Sequence, residues 1–194
     1  MFIIGLSGTN LSGKGSVREI IEKRFKTYST SLSDILREDL KQKGVEPTRD
    51  ALIAYGNELR KKEGSGILAR RTSEKMEKQA QAQDFDIALF DSVRNMIEIE
   101  FLKKKYGGRF KFLFVDAPVE IRYKRSLIRA RAGEHQASFD QFKKMDDIES
   151  GKTGEAHVQQ LVKCGQAADI MIINDGTIEK LEEKVVSLLK GYLK

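Results

Sequence analysis

The feature that most constrains this chain is a glycine-rich segment between an apolar run and a helical pattern. The apolar run covers residues 2–6, and the segment that follows reads Gly8-Thr9-Asn10-Leu11-Ser12-Gly13-Lys14-Gly15-Ser16. It fits the spacing GxxxxGK, in which glycines let backbone N–H groups turn inward around an anion. Lys14 stands at the start of the predicted helix, where the helix dipole favours an anion and the ammonium can reach the β- and γ-phosphates of a nucleotide. The whole segment is therefore predicted to bind ATP.

One position in this segment departs from its commonest form. The residue after Lys14 is Gly15, where that form places a Ser or Thr hydroxyl on Mg²⁺. Ser16 comes one position later. We therefore expect Mg²⁺ to be held mostly through water and nucleotide oxygens, with Ser16 better suited to phosphate than to the metal.

Strand-like apolar runs alternate with charged helical patterns along the chain. The predicted strands cover residues 2–6, 27–30, 87–90, 110–115 and 170–173. Helical spacing fills the segments between them. Such alternation predicts a mainly parallel sheet with helices on both faces, because parallel strands need long crossover connections. We expect one three-layer α/β/α domain over residues 1–194, with five strands.

Two gaps between predicted strands are longer than one crossover helix requires. The first gap holds a predicted helical excursion at residues 31–83, and the second holds another at residues 131–155. Both would lie at the carboxyl edge of the sheet, where open α/β folds bind ligands.

Composition narrows the class of protein further. The 35 basic and 29 acidic residues give a net charge of +6, but the two signs are interspersed and do not favour a nucleic-acid-binding arm. One cysteine and two histidines exclude an internal disulfide and a zinc cluster. The apolar runs are too short for a membrane helix, and the start of the chain lacks the basic region of a signal peptide. We therefore expect a cytoplasmic protein, and the sequence does not indicate its oligomeric state.

A carboxylate and an arginine follow the third predicted strand. Asp91 would lie at the carboxyl end of a central strand, where it can orient Mg²⁺-bound water, and Arg94 comes three residues later. Together with the Gly-Lys-Gly-Ser form of the loop, these positions resemble adenylate kinase and its nucleoside monophosphate kinase relatives. The resemblance implies that Asp91 is the Walker B acid and that Arg94 binds the acceptor phosphate, since a guanidinium grips two phosphate oxygens. Otherwise Asp91 is a helix N-cap and Arg94 a surface charge.

The first excursion resembles the acceptor-binding part of the same family. There a Ser or Asp caps a helix and an arginine one turn later meets the acceptor phosphate. The resemblance implies an acceptor set of Ser33, Asp34, Arg37, Arg60 and Arg94. Either Ser33 or Asp34 would cap the helix. Simple solvation is the alternative for Arg37 and Arg60.

The second excursion resembles a shortened lid. It follows Asp116-Ala117-Pro118 and a helix that carries several arginines, which can neutralise charge on a transferring phosphoryl group. Arg125 and Arg131 are the predicted lid contacts, with a generic basic helix as the alternative. The implied catalytic set is Lys14, Asp91, Arg94, Arg125 and Arg131, and the implied metal ligands are Ser16 and Asp91, through water.

The last predicted strand leads into Asn174-Asp175-Gly176, where Asn174 and Gly176 would place backbone groups beside the nucleotide base. Similar endings occur in dephospho-CoA kinases and in a group of archaeal and bacterial adenylate-kinase-like proteins. The latter group resembles this chain over nearly its whole length, so a P-loop kinase is expected.

Three functions remain open. The first is a kinase that transfers the γ-phosphoryl group of ATP, with Mg²⁺, to a nucleoside or deoxynucleoside monophosphate. The second is a dephospho-CoA kinase, whose hydroxyl acceptor would need Asp34 as a base. The third is a nucleotide-dependent regulatory or RNA-associated ATPase. Small nucleotides are the predicted partners, and the first function is favoured because the long first excursion with its extra arginine suits a monophosphate.

Overall fold

A computed structural model describes residues 1–129, 138–149 and 160–193 of the 194-residue chain. Within this part, the strands are β1 (Phe2–Gly8), β2 (Thr27–Ser31), β3 (Ile87–Asp91), β4 (Phe110–Asp116) and β5 (Ile170–Ile173). They form one sheet in the order β2-β3-β1-β4-β5, and every pairing is parallel. The predicted three-layer α/β/α fold is confirmed.

The described helices occupy the connections between strands, except for α9, which follows β5. They are α1 (Lys14–Arg24), α2 (Leu32–Gln42), α3 (Arg49–Glu63), α4 (Ile67–Ala82), α5 (Met96–Tyr106), α6 (Val119–Arg129), α7 (Phe139–Glu149), α8 (Leu161–Gln166) and α9 (Ile178–Lys190). A short 3₁₀ turn, Gly107–Arg109, follows α5.

Each face of the sheet is covered by its own apolar core. Successive side chains of a strand point to opposite faces, so Ile3 and Ile4 belong to different cores. Ile4 packs with residues of α1 and α9, such as Val17 and Val185. Every residue of β3 is buried, as expected for a strand covered on both faces.

The first excursion is part of the larger core. Leu32 of α2, and Leu68 and Met76 of α4, are buried together with Ile3 and Phe90 of the sheet. Helices α2 and α4 therefore form one layer of the domain and hold the predicted acceptor segment against the sheet.

Element ends differ from the prediction where the phosphate loop begins. Strand β1 extends beyond residue 6 because it continues to pair with β4 as far as Gly8, opposite Val115. Helix α8 begins at Leu161, since Gln160 has non-helical backbone angles. Residues 156–159 lie outside the described part. No helix in the described ranges is long and apolar enough to cross a membrane.

Candidate nucleotide-binding site

The loop between β1 and α1 needs glycine at two positions. A Cβ on Gly8 would lie 2.4 Å from the carbonyl oxygen of Val115. Gly13 has φ +91°, a backbone angle that residues with a Cβ rarely adopt. A Cβ on Gly13 would also lie 2.2 Å from Nδ2 of Asn174. Gly15 has open space around it. Close packing therefore explains Gly8 and Gly13, but not Gly15.

Neighbouring segments hold the carbonyl groups of this loop. Asn174 donates from Nδ2 to the carbonyl of Ser12 at 2.8 Å, and Arg125 donates from Nη1 to the carbonyl of Leu11 at 3.1 Å. At the start of the loop, the Thr9 hydroxyl donates to Asp116 Oδ1 at 2.6 Å. Because these carbonyl oxygens already accept hydrogen bonds from neighbouring segments, the loop is preorganised to present its N–H groups to an anion.

A cavity of 500 Å³ lies over the loop. Its lining comprises the whole loop from Gly8 to Ser16, together with Glu19, Arg94, Arg125, Arg129 and Leu161. In the described lining, cationic side chains outnumber the single carboxylate. The N-terminus of α1 also lies at the cavity. The cavity therefore favours an anionic ligand.

Lys14 and Asp91 form an ion pair at the edge of this cavity. The ammonium Nζ contacts Oδ1 of Asp91. Burial lowers the pKa of Lys14 because it desolvates the ammonium; Asp91 opposes this, while the positive charges of Arg94 and Arg18 lower it further. Lys14 therefore lies near two other cations, with Asp91 as its direct partner, and a bound phosphate would supply more negative charge.

The turn after Asp91 is strained. Ser92 has φ +64°, in the left-handed region, and its N–H donates to Oδ1 of Asp91 at 2.6 Å. Non-glycine residues in this region persist only where surrounding structure holds them. This turn orients the Asp91 carboxylate toward the loop and toward Arg18, whose Nη1 lies 3.8 Å from Oδ2.

The predicted acceptor segment begins beside this carboxylate, because Ser31 at the end of β2 pairs in register with Asp91. Ser31, and neither Ser33 nor Asp34, is the N-cap of α2. Asp34 takes the reciprocal place in the capping box and accepts from the Ser31 N–H at 2.9 Å. Arg37 donates to Ser33 Oγ at 2.7 Å and to Asp34 Oδ1 at 3.0 Å, with its guanidinium about half exposed.

No family model matches the chain. A UPF0200 protein of Sulfurisphaera tokodaii is 33% identical over 192 residues, which cover 98% of this chain and 97% of that protein. This chain belongs to the UPF0200 family. A UPF0200 protein of Hyperthermus butylicus is 30% identical over 187 residues. The chain spans only 55% of a UPF0200/UPF0201 protein of Archaeoglobus fulgidus, to which it is 27% identical over 189 residues.

Solved structures of other proteins have the same fold as this UPF0200 chain. TT1252 from Thermus thermophilus superposes with a TM-score of 0.59 at 17% identity, covering 98% of this chain and 97% of that one. Shikimate kinase from Aquifex aeolicus superposes with a TM-score of 0.52 at 17% identity, covering 97% and 96%. The UPF0200 chain therefore shares the α/β fold of these proteins, while kinase activity and membership of the nucleoside monophosphate kinases stay predictions.

The structure places Arg60, one of the predicted acceptor ligands, away from the cavity. Its side chain is 9% exposed, and the guanidinium donates from Nε at 3.1 Å and from Nη2 at 2.8 Å to Oε1 of Glu98, a fully buried residue. The local sequence could not indicate this partner, since Glu98 lies on α5 and Arg60 on α3.

The arginines of α6, the helix before the predicted lid, differ in the groups that they bind. Arg125 lines the cavity but donates to loop and strand-end carbonyls, including that of Asn174 at 3.2 Å. Arg122 is buried and binds Asp146 of α7 and the carbonyl of Ala117. The predicted lid contact Arg131 lies outside the described residues, as do positions 130–137 and 150–159.

Asn174 contacts the phosphate loop through the carbonyl of Ser12, but neither Asn174 nor Gly176 is among the described residues that line the cavity. Four side chains near the site were not in the predicted set, namely Arg18, Glu19, Glu98 and Arg129. Helical spacing offered a signal for one of them, because Arg18 follows Lys14 by one turn on α1.

Proposed function

We propose that this chain is an ATP-dependent phosphotransferase that moves the γ-phosphoryl group of ATP to the phosphate of a nucleoside or deoxynucleoside monophosphate. The observation that carries this proposal is the cavity over the phosphate loop, in which Lys14 and Arg94 converge near Asp91. Transfer of a phosphoryl group requires little covalent chemistry from the protein, and cations placed around the transferring group supply most of the catalysis.

The roles follow from the positions of the groups. Loop N–H groups and Lys14 bind the β- and γ-phosphates, and Arg125 and Asn174 keep the loop in shape. The donor set suits Mg²⁺, since Asp91 offers carboxylate oxygens and Ser16 a hydroxyl, and hard cations prefer oxygen ligands. When bound, Mg²⁺ neutralises charge on the phosphates. Lys14 then exchanges its contact with Asp91 for the nucleotide.

The acceptor side carries arginines suited to a second anion. Arg94 lines the cavity, and Arg37 lies in the middle of α2, the helix that follows the strand end paired with Asp91. Asp34, the base that a hydroxyl acceptor would need, already accepts from Arg37 and from the capped helix start. This favours a phosphate acceptor over the hydroxyl of dephospho-CoA.

The test is ADP release from ATP and Mg²⁺ across a panel of ribo- and deoxyribonucleoside monophosphates, with dephospho-CoA included. Lys14→Ala is the loss-of-function variant, and Lys23→Ala, an exposed lysine on the same helix, is its matched control. We expect one acceptor to stimulate release in the wild type and in Lys23→Ala only. Steady ATP hydrolysis that no acceptor changes would contradict the proposal and favour a regulatory ATPase.

A further inference from the structure

Glu98 is a fully buried carboxylate that contacts two separate parts of the fold. It lies in the first turn of α5, where the N-terminal end of the helix dipole favours a negative charge. One oxygen accepts both hydrogen bonds from the Arg60 guanidinium on α3. The other, Oε2, accepts from the backbone N–H of Arg94 at 3.0 Å. Burying a charge is costly unless it is paired and hydrogen-bonded, and here both oxygens are engaged.

The Arg94 peptide is held on its other side as well. Its carbonyl oxygen accepts from the backbone N–H of Gln160 at 2.8 Å, directly before α8. The segment that contains Arg94 follows the strained turn at Ser92 and precedes the N-cap Asn95 of α5. The backbone that carries Arg94 into the cavity is therefore held by Glu98 of α5 on one side and by Gln160, a residue distant in sequence, on the other.

We propose that Glu98 is a positioning residue for Arg94. It holds the Arg94 N–H on one oxygen and α3 on the other, so that the guanidinium of Arg94 lines the anion cavity while the first excursion stays docked against α5. Glu98 itself contacts no ligand. The assignment of Arg94 to the acceptor rests on the proposed function, but the effect of Glu98 on Arg94 does not.

Two paired variants separate positioning from folding. Arg60→Met/Glu98→Gln and Arg60→Met/Glu98→Leu both remove the buried charges, so neither leaves a charge unpaired. Only the glutamine retains an oxygen that can accept from the Arg94 N–H. Comparable thermal midpoints for the two proteins would show that both fold, and a difference in function then reports on that oxygen.

The first readout is binding of inorganic tripolyphosphate by calorimetry, which needs no acceptor. We expect Arg60→Met/Glu98→Leu to bind about tenfold more weakly than Arg60→Met/Glu98→Gln, because a misplaced cation loses its charge-assisted hydrogen bonds. In an Arg94→Gln background this difference should vanish, since Glu98 acts through Arg94. Exchange of the Arg94 amide hydrogen, followed by NMR, should be faster in the leucine variant.

The second readout applies once an acceptor has been found. The leucine variant should then raise the acceptor KM more than the ATP KM, and the glutamine variant should restore it. Equal tripolyphosphate affinity and equal Arg94 exchange in the two folded variants would overturn the proposal. If no acceptor is phosphorylated but the two variants still differ as expected, the proposed function fails and the positioning role of Glu98 stands.

Discussion

Two ion pairs of similar chemistry lie close to Arg94. In the pair of Lys14 and Asp91, the side chains are 20% and 9% exposed, and the ammonium faces a cavity that can admit a ligand. In the pair of Arg60 and Glu98, they are 9% and 0% exposed, and the carboxylate also accepts from the Arg94 backbone.

The two pairs carry the same charges and differ in their access to ligand and solvent. An accessible pair can take part in ligand binding, whereas an enclosed pair can only hold parts of the fold together. An arriving phosphate can replace Asp91 as the partner of Lys14, because Lys14 lines the cavity. No comparable replacement is open to Glu98, whose oxygens are engaged by the protein and hidden from solvent. The accessible pair should therefore govern binding and catalysis, and the sealed pair should govern stability and geometry.

The largest expected effect is on folding. Glu98→Leu alone leaves the Arg60 guanidinium buried without its carboxylate, so we expect a loss of about 3–5 kcal/mol in the free energy of unfolding. Urea denaturation measures it. Arg60→Met/Glu98→Leu should recover most of that loss, because buried ion pairs are often replaced by apolar residues at little cost. A double variant as unstable as the single one would refute the view that the pair acts as a unit.

The next effect concerns the accessible pair. Lys14→Met should lower the rate of ATP-dependent phosphoryl transfer by about 10²–10³-fold, since it removes a cation that stabilises transition-state charge. The free energy of unfolding should change far less in Lys14→Met than in Glu98→Leu, because burial already disfavours the charged form of Lys14. Steady-state kinetics and urea denaturation of one preparation give both numbers. Should Lys14→Met destabilise the fold as much as Glu98→Leu, the contrast between the pairs would be lost.

A smaller effect is expected on stability and on ATP affinity in the alkaline pH range. Because the pKa of Lys14 is lowered, its ammonium loses its proton at a lower pH than an exposed lysine does. The unfolded chain then binds more protons than the folded one between the lowered pKa and the ordinary value, so stability from this group rises with pH there. ATP affinity should fall over the same interval. Lys14→Arg, which stays charged, should flatten that alkaline fall when ATP binding is titrated against pH, and an unchanged profile would speak against Lys14 as its source.

The smallest effect is at Cys164, next to the sealed pair. Burial raises the pKa of its thiol to about 12, and the negative charge of Glu98 adds to the rise. We expect no reaction of the folded protein with a disulfide reagent at pH 8, and one reactive thiol after unfolding. Arg60→Met/Glu98→Leu should stay unreactive as well, since burial is the main cause. Rapid labelling of that folded variant would show that the sealed region opens without its ion pair.

Much of the fold was predictable because its signals are local. Alternating apolar runs and helical patterns predicted five strands, and the spacing of Gly8, Gly13 and Lys14 predicted the phosphate loop. Asp91 was predictable too, because a carboxylate directly after a buried strand comes to the carboxyl edge of a parallel sheet. Positive φ at Ser92 carried no sequence signal, since surrounding structure imposes it on a residue that does not favour it.

Local patterns in the amino-acid sequence are sufficient to predict the α/β alternation, the anion-binding loop and the many arginines near it. The partner that each arginine binds depends on tertiary packing. Arg37 and Arg60 look equivalent on their helices, yet one is half exposed beside Asp34 while the other is sealed against Glu98. The reason is physical: a helix pattern determines which face a side chain occupies, but its partner depends on which distant element packs against that face and how completely it excludes water.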